Sequence, residues 1–272
     1  MGDCWHGRCW VPCAGLKARV RHLPAEVGSA QEPEPLTGSL VRKRPPRTVV
    51  PGLVVSGLLV VVSAFVATGA TLHADGVVFG WFTQLDRAVL VHAVARTVVM
   101  GGQFWLVGTG LVIVAAWRGW GERSWRPVLV SGGAVVGLDL ALWALKVAIG
   151  RSSPHGGVND VLAGGTSYPS GHAATATLSL FLLAAVLCPP GPSASRRTVR
   201  MVWLCAGAAS ALVSGSTMVL GYHWVSDVVG GWLVALWFLL PALRVLRPTG
   251  ASLRSPDAVS PDRAPPSVVT GR

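Results

Sequence analysis

Long apolar segments, separated by short polar ones, fill the middle of the chain. Five of them have the roughly 17–25 residues that a membrane-spanning helix needs, and the fourth is shorter but is extended by the SGH that precedes it. Open strands cannot cross a bilayer, so helix is the structure that this pattern predicts. We therefore expect an all-α membrane protein, a bundle of six transmembrane helices. The apolar segments are approximately 49–72, 98–117, 127–149, 173–188, 199–219 and 225–246.

The composition agrees with a membrane protein. Hydrophobic residues make up 51% of the chain and charged residues only 13%, with a mean hydropathy of +0.53. Those values are too apolar for an ordinary soluble domain. Residues 1–48 and 247–272 are polar and contain proline, so we predict disordered tails on either side of one transmembrane domain, 49–246. The first tail contains three cysteines and a histidine close together, namely Cys4, His6, Cys9 and Cys13. Their spacing matches no metal-site signature, so we predict no metal site there.

The distribution of positive charge predicts the orientation in the membrane. The formal net charge of +11 is compatible with nucleic-acid binding, but the basic residues are not arranged as one binding face. All but four of the 23 lysines and arginines lie in the tails or in the loops after the second and fourth apolar segments. By the positive-inside rule, both termini are cytoplasmic and the remaining loops face outward. We therefore predict a multi-pass protein of the cell membrane whose partner is the lipid bilayer and which binds no nucleic acid. The four exceptions are Arg87, Arg96, Lys146 and Arg151.

Polar side chains of a particular kind collect at the predicted outer face. Lys146 and Arg151 follow the third apolar segment, and PSGH (169–172) precedes the fourth. His223 and Asp227 lie between the fifth and the sixth. Cations and a helix N-terminus bind phosphate oxygens. One histidine could attack phosphorus, another could protonate the leaving oxygen, and a carboxylate could orient the attacking imidazole.

Each of these residues also has a purely structural interpretation. Asp227 could complement the dipole of the last helix, and His223 could be an interfacial ring. Lys146 could extend its amine toward the interface, and Ser170 could be a plain N-cap. Asp139 lies deep in the third segment and is either functional or paired with a polar group inside the bundle. The structural interpretations weaken when all the polar groups converge on one face.

YPSGH (168–172), with a lysine motif before it and a His-x-x-x-Asp motif after it, resembles the type 2 phosphatidic acid phosphatase superfamily. The resemblance covers roughly residues 49–246. It implies a six-helix membrane bundle with an extracytoplasmic site that acts on a lipid phosphate without a metal or other cofactor. It also implies that His223 is the nucleophile that forms a phosphohistidine, that Asp227 orients it, and that His172 is the general acid. Phosphate would be held by Lys146, Ser170 and Gly171.

The chain departs from the family pattern at two positions. The first motif is lysine, six residues and then Arg-Pro, and Ser153 occupies the arginine position. The third motif begins Ser-Arg, and Thr217 occupies the arginine position. Arg151 lies two residues before Ser153 and could supply a guanidinium from a different backbone position. We therefore add Arg151, Ser153 and Thr217 to the predicted substrate-binding residues.

Three functions follow from this pattern. The intact pair of histidines and the aspartate favour a membrane phosphatase that hydrolyses a lipid phosphate or lipid diphosphate. The replaced arginines favour a catalytically degenerate member that binds a lipid phosphate or a membrane partner. The third possibility is a related phosphotransferase, which differs in its acceptor.

Overall fold

The protein is all-helical in the part of the chain that the structure describes. The computed structural model covers residues 49–156, 159–189 and 195–247 and contains no strand in those ranges. The predicted tail 1–48 and all but the first residue of the predicted tail 247–272 lie outside them. The helices are α1 (Val49–Ala67), α2 (Leu72–Asp86), α3 (Val89–Val98), α4 (Thr109–Glu122), α5 (Arg126–Ile149), α6 (Gly171–Leu187), α7 (Arg196–Val219) and α8 (Val225–Leu246).

The predicted membrane helices are present. Within the described residues, five helical stretches are long and apolar enough to cross a bilayer. Helix α6, of 17 residues, is shorter than these, so the count of six spans stays a prediction. The prediction of an all-α, multi-pass membrane protein is confirmed. The five stretches are Val50–Ala67, Phe104–Glu122, Arg126–Gly156, Arg196–Val219 and Val225–Leu246.

The second apolar segment begins later than its hydropathy predicted. The expected start at residue 98 is wrong, because Val99–Gly102 is a short 3-10 helix and Gln103 is extended. A π-helical turn, Phe104–Gly108, then leads into α4. Gly102 explains the break: a Cβ at this position would lie 2.8 Å from the Cβ of His172. The backbone is therefore not α-helical at this point, and it packs closely against the start of α6.

Residues 73–97, interpreted from the sequence as an outward loop, lie within α2, α3 and the short turn between them. Both helices pack against α7, and α2 also packs against α8. Helix α2 contains a carboxylate, Asp75, that is only 1% exposed. The sequence interpretation of this stretch as a loop was wrong, because polar residues interrupt its apolar ones and leave no continuous apolar run, although the stretch is helical.

Helix α6 occupies the centre of the bundle. Its sequence, GHAATATLSLFLLAAVL, is apolar or small on every face, and most of its residues are buried. A helix that is apolar all round is stable when other elements surround it. Helices α4, α5, α7 and α8 all pack against α6. The main core cluster is formed by residues of α4, α5, α6 and α8, with Leu138, Leu178, Leu182 and Val234 among the most buried.

The two glycines of α8 bring the chain before α6 close to the bundle. A Cβ at Gly230 would overlap the ring of Tyr168, and one at Gly231 would lie 2.5 Å from the carbonyl oxygen of Ser170. The Tyr168 phenol is buried and forms a hydrogen bond of 2.9 Å with the hydroxyl of Ser63 in α1. Burial raises the pKa of Tyr168 above its usual value. The loop that precedes α6 is therefore held between α1 and α8 by packing and by the hydrogen bond of the neutral Tyr168 phenol.

Candidate active site

A cavity of about 470 Å³ opens at the end of the bundle where α5 ends and α6 begins. Because α5 and α6 run in opposite directions, the C-terminal end of one meets the N-terminal end of the other. The loop from α7 to α8 closes the same end of the bundle. The cavity is lined by Gly102, Gln103, Phe104, Asp139, Leu142, Trp143, Lys146, Ser153, Thr166, Ser167, Gly171, His172, Thr175, Tyr222 and His223.

The two predicted catalytic histidines face one another across this cavity. The ring centroids of His172 and His223 are 6.2 Å apart. The Nε2 atom of His172 is buried and has no hydrogen-bond partner among the described residues. The ring of Tyr222 lies beside His172, with a centroid distance of 6.3 Å. The sequence prediction that these two imidazoles, distant in sequence, share one site agrees with this geometry.

Asp227 lies behind His223, away from the cavity. Its Oδ2 atom is 3.7 Å from Nδ1 of His223 and accepts hydrogen bonds from the Ser167 hydroxyl at 2.5 Å and the Trp224 backbone N–H at 2.9 Å. The Trp224 bond places Asp227 as an N-terminal cap of α8. One carboxylate therefore both accepts a hydrogen bond at the N-terminal end of α8 and lies beside the imidazole.

Arg151 does not face the cavity. Its side chain is fully buried, and Nη1 donates to Asp227 Oδ1 at 2.9 Å and to the Ser226 hydroxyl at 2.5 Å. Nη2 donates to Asp75 Oδ2 at 2.7 Å and to Asn159 Oδ1 at 2.8 Å. The guanidinium also lies 5.5 Å from the ring centroid of Trp224. The prediction that Arg151 contacts substrate does not fit this position, since its donors are directed at carboxylates of the protein.

Lys146 and Gly171 line the cavity as the sequence predicted. The Nζ atom of Lys146 donates to the backbone carbonyl of Thr166 on the loop before α6. Gly150 ends α5 in the left-handed conformation, with φ of 58°, which turns the chain sharply just after Lys146. The amine of Lys146 thus lies at the cavity, near the loop that leads into α6.

Ser170 is an N-cap. Its hydroxyl accepts from the Ala173 backbone N–H at 3.3 Å, and its own backbone N–H donates to the Asp227 carbonyl at 2.9 Å. The side chain is fully buried and does not line the cavity. The N-cap interpretation is therefore the one that the geometry supports, and Ser170 joins the start of α6 to the start of α8.

The two positions that replace family arginines have different surroundings. Ser153 lines the cavity. Thr217 is fully buried in α7, where its hydroxyl donates to the Ser214 carbonyl at 2.7 Å, and it does not line the cavity. Thr217 therefore has no access to a bound phosphate. Asp139, which the sequence left as either functional or paired within the bundle, lines the cavity.

Sequence reasoning missed the polar groups that surround Arg151 and Asp227. Asp75 accepts from the backbone N–H of Ser226 at 2.9 Å and from its hydroxyl at 2.8 Å, in addition to its ion pair with Arg151. Ser167 donates to Asp227. The only local signal for Asp75 was a lone carboxylate shortly after an apolar segment. Its partner Arg151 is 76 positions away in sequence, which no local pattern reveals.

Comparison with known proteins adds to this geometry. No curated protein matches the chain. The chain is similar in fold to the structure described as the first transmembrane PAP2 type phosphatidylglycerolphosphate phosphatase from Bacillus subtilis, with a TM-score of 0.61 and 23% sequence identity. The match covers 70% of this chain and 93% of that one. The family model of the PAP2 superfamily matches residues 104–249, which include both histidines, Asp227 and all the cavity-lining residues except Gly102 and Gln103. The chain therefore belongs to the PAP2 superfamily.

Proposed function

We propose that this protein is an integral-membrane phosphatase that hydrolyses a lipid phosphate or lipid diphosphate through a phosphohistidine intermediate. The observation that supports this most directly is the pair of imidazoles that line one cavity. His223 has a carboxylate behind it, and His172 presents a buried ring nitrogen that has no hydrogen-bond partner in the described part of the chain. A nucleophile with an orienting group, facing a separate acid, is the arrangement that nucleophilic catalysis requires.

In the first step, Nε2 of His223 attacks phosphorus. A P–N bond forms while the P–O bond to the lipid breaks, and His172 in its protonated form gives its proton to the departing oxygen. Asp227 stabilises the proton on Nδ1 of His223, which leaves Nε2 free to attack. In the second step, neutral His172 takes a proton from water as the water attacks the phosphohistidine. Inorganic phosphate leaves and His223 is restored. No step in this scheme requires a metal ion.

The phosphate oxygens are held by Lys146 and by the N-terminal end of α6, where Gly171 lines the cavity. A helix N-terminus presents free N–H groups and the positive end of the dipole to an anion. Ser153, which also lines the cavity, adds a hydroxyl donor. Lys146 is thus the one side chain with a fixed positive charge among the described cavity residues, since Arg151 is directed away.

The cavity also has an apolar wall. Phe104, Leu142 and Trp143 line it together with the polar groups. An apolar surface next to a phosphate site suits a substrate whose phosphate is attached to a hydrocarbon chain. A lipid phosphate can thus reach the histidines from the bilayer.

We place the cavity at the extracytoplasmic face and both termini in the cytoplasm. Supporting this orientation, the C-terminal end of α4 and the N-terminal ends of α5 and α7 lie at the opposite end of the bundle from the cavity. They carry arginines, among them Arg123, Arg126 and Arg196, as cytoplasmic ends do. Cysteine accessibility to a membrane-impermeant maleimide, with single cysteines at His73 or Arg123, measures the orientation. Labelling of the Arg123→Cys position alone in intact cells would contradict it.

The proposed activity is tested by phosphate release in detergent, with a chelator present. The panel contains phosphatidic acid, phosphatidylglycerol phosphate and a polyprenyl diphosphate, and His223→Ala is the control. Release of phosphate above that control from at least one lipid is expected. A preparation no faster than the control on every substrate would overturn the proposal.

Restoring a cation at position 153 is expected to raise phosphatase activity. Ser153→Arg places a guanidinium beside the cavity at a residue that already lines it, and an Arg–phosphate pair is a strong charge-assisted contact. We expect kcat/KM to rise by about tenfold, which corresponds to about 1.4 kcal/mol. Ser153→Gln, which adds size and hydrogen-bonding groups without charge, is the matched control. Equal kcat/KM for both variants would show that a missing charge at this position does not limit the reaction.

The presence of only one lysine or arginine among the described cavity residues favours a second candidate, a catalytically degenerate protein that binds lipid phosphate without turnover. A further alternative is a phosphotransferase that uses an acceptor other than water. Binding of phosphatidic acid vesicles with no phosphate release would support the first alternative. Detection, by mass spectrometry of the lipid products, of an acceptor that carries a transferred phosphate or phospho-headgroup would support the second.

A further inference from the structure

We propose that Asp75 is a positioning residue for the reaction, which acts through Arg151 to keep Asp227 available to His223. The inference deepens the proposed function and rests on His223 being the nucleophile. Asp75 lies on α2, outside residues 104–249 that the family model matches. It does not line the cavity, so it acts only through other residues.

The three charged groups form a buried row. Arg151 lies between Asp75 and Asp227, with Nη2 2.7 Å from one carboxylate and Nη1 2.9 Å from the other. The side chains of all three are at most 1% exposed. Water does not screen charges in such a site, so their balance matters more than it would at the surface.

The charge balance determines what Asp227 can do. Asp75 and Asp227 together carry two negative charges against one positive charge on Arg151, so the row has a net charge of −1. The uncompensated charge is available to His223, whose Nδ1 lies 3.7 Å from Asp227. With Asp75 neutral, Arg151 would be balanced by Asp227 alone. The imidazole would then face a neutral pair and lose the stabilisation that its positive charge needs as the P–N bond forms.

Asp75 also fixes the backbone from which Asp227 projects. Its Oδ1 accepts the backbone N–H of Ser226, and its Oδ2 accepts the Ser226 hydroxyl. Ser226 is the residue before Asp227 in the first turn of α8, where N–H groups lack partners within the helix. A carboxylate from another helix therefore caps the same turn that Asp227 caps. Asparagine at position 75 would keep one acceptor oxygen but would place an NH₂ group where two donors now point.

The test is Asp75→Asn, with Asp86→Asn as the matched control. Asp86 is the other carboxylate of α2, and it pairs with His92 at the surface, away from the cavity. We expect Asp75→Asn to lower kcat by about 10- to 100-fold, the range seen when the outer partner of a metal-bound histidine is removed. KM is expected to change little, because Asp75 does not line the cavity. Asp86→Asn is expected to leave both constants unchanged.

A double variant separates charge balance from simple damage. Asp75→Asn with Arg151→Met removes one negative and one positive charge and returns the net charge beside His223 to −1. We expect its kcat to exceed that of Asp75→Asn alone, although it lacks more contacts. A double variant no faster than the single one, or a loss confined to KM, would overturn the proposal.

A readout independent of substrate keeps the inference testable if the proposed function fails. Carbethoxylation of His223 by diethyl pyrocarbonate at pH 8, where an ordinary imidazole is neutral, reports its nucleophilicity by mass spectrometry. His73, exposed on α2, is the internal standard. We expect slower labelling of His223 in Asp75→Asn and faster labelling in the double variant. Unchanged labelling would overturn the role of Asp75, whereas a wild-type protein inactive on every lipid would overturn only the proposed function.

Discussion

Replacing His223 with alanine is expected to lower the rate of phosphate release by roughly 10³-fold or more, since loss of a catalytic nucleophile or base removes most of the acceleration. The imidazole borders the cavity, with Ser167 and Asp227 behind it. No other described residue on the cavity wall combines a nucleophilic ring with a carboxylate behind it. Single-turnover assays with a radiolabelled lipid phosphate, followed by acid-labile protein labelling, measure both the rate and the covalent intermediate.

His73→Ala is the matched control for this variant. His73 lies on α2, is exposed and does not line the cavity. Its replacement is expected to leave the rate within a factor of two of the wild type, an effect of about 0.4 kcal/mol at most. A labelled phosphoprotein that persists in His223→Ala would show that another residue is the nucleophile.

Replacing Arg151 with methionine is expected to be the most destabilising change in the protein, by about 3–5 kcal/mol. Methionine fills similar space, but it leaves the carboxylates of Asp75 and Asp227 buried close together without a cation. The loss reflects uncompensated charges, so it exceeds what the original ion pairs contribute to stability. Thermal unfolding in detergent, followed by tryptophan fluorescence, is expected to show a midpoint lower by roughly 10 °C.

Arg118→Met is the matched control for Arg151→Met, because it makes the same substitution at an exposed ion pair. Arg118 pairs with Glu122 at 2.6 Å, one helical turn away, and both side chains are substantially exposed. An exposed pair at this spacing contributes about 0.3–0.5 kcal/mol, so the midpoint is expected to move little. Equal midpoints for Arg118→Met and Arg151→Met would contradict the assignment of Arg151 to a buried charge row.

The two positions at which the chain lacks a family arginine differ in their access to the cavity. Only at position 153 can the effect of restoring arginine be tested. Ser153 lies at the cavity, so an arginine there can reach a phosphate. Thr217 is enclosed within α7 and donates to a backbone carbonyl, so an arginine there would be forced into the helix packing. In the proposed site, the absence of both arginines leaves Lys146 and the N-terminal end of α6 as the groups that would hold the phosphate.

The sequence alone was sufficient to predict the all-helical membrane fold, because membrane helices need long apolar segments and such segments are visible as local composition. It also predicted that His172, His223 and Asp227 share one site, and the structure brings them together at one end of the bundle, because short motifs at helix ends keep their spacing. It placed the start of the second span wrongly, since hydropathy does not register that the chain packs so tightly at Gly102 that a Cβ there would lie 2.9 Å from the Cα of His172.

Only the tertiary structure decided the partners of the buried charges. The sequence interpretation directed Arg151 toward the substrate, and it treated residues 73–97 as a loop. In the folded protein α2 brings Asp75 to Arg151 from 76 positions away, and the loop after α5 turns the guanidinium toward Asp227. An arginine beside a phosphate site and an arginine buried between two carboxylates have the same local sequence. Their difference depends on which side chains exclude water from the guanidinium, and that is a property of the packed bundle.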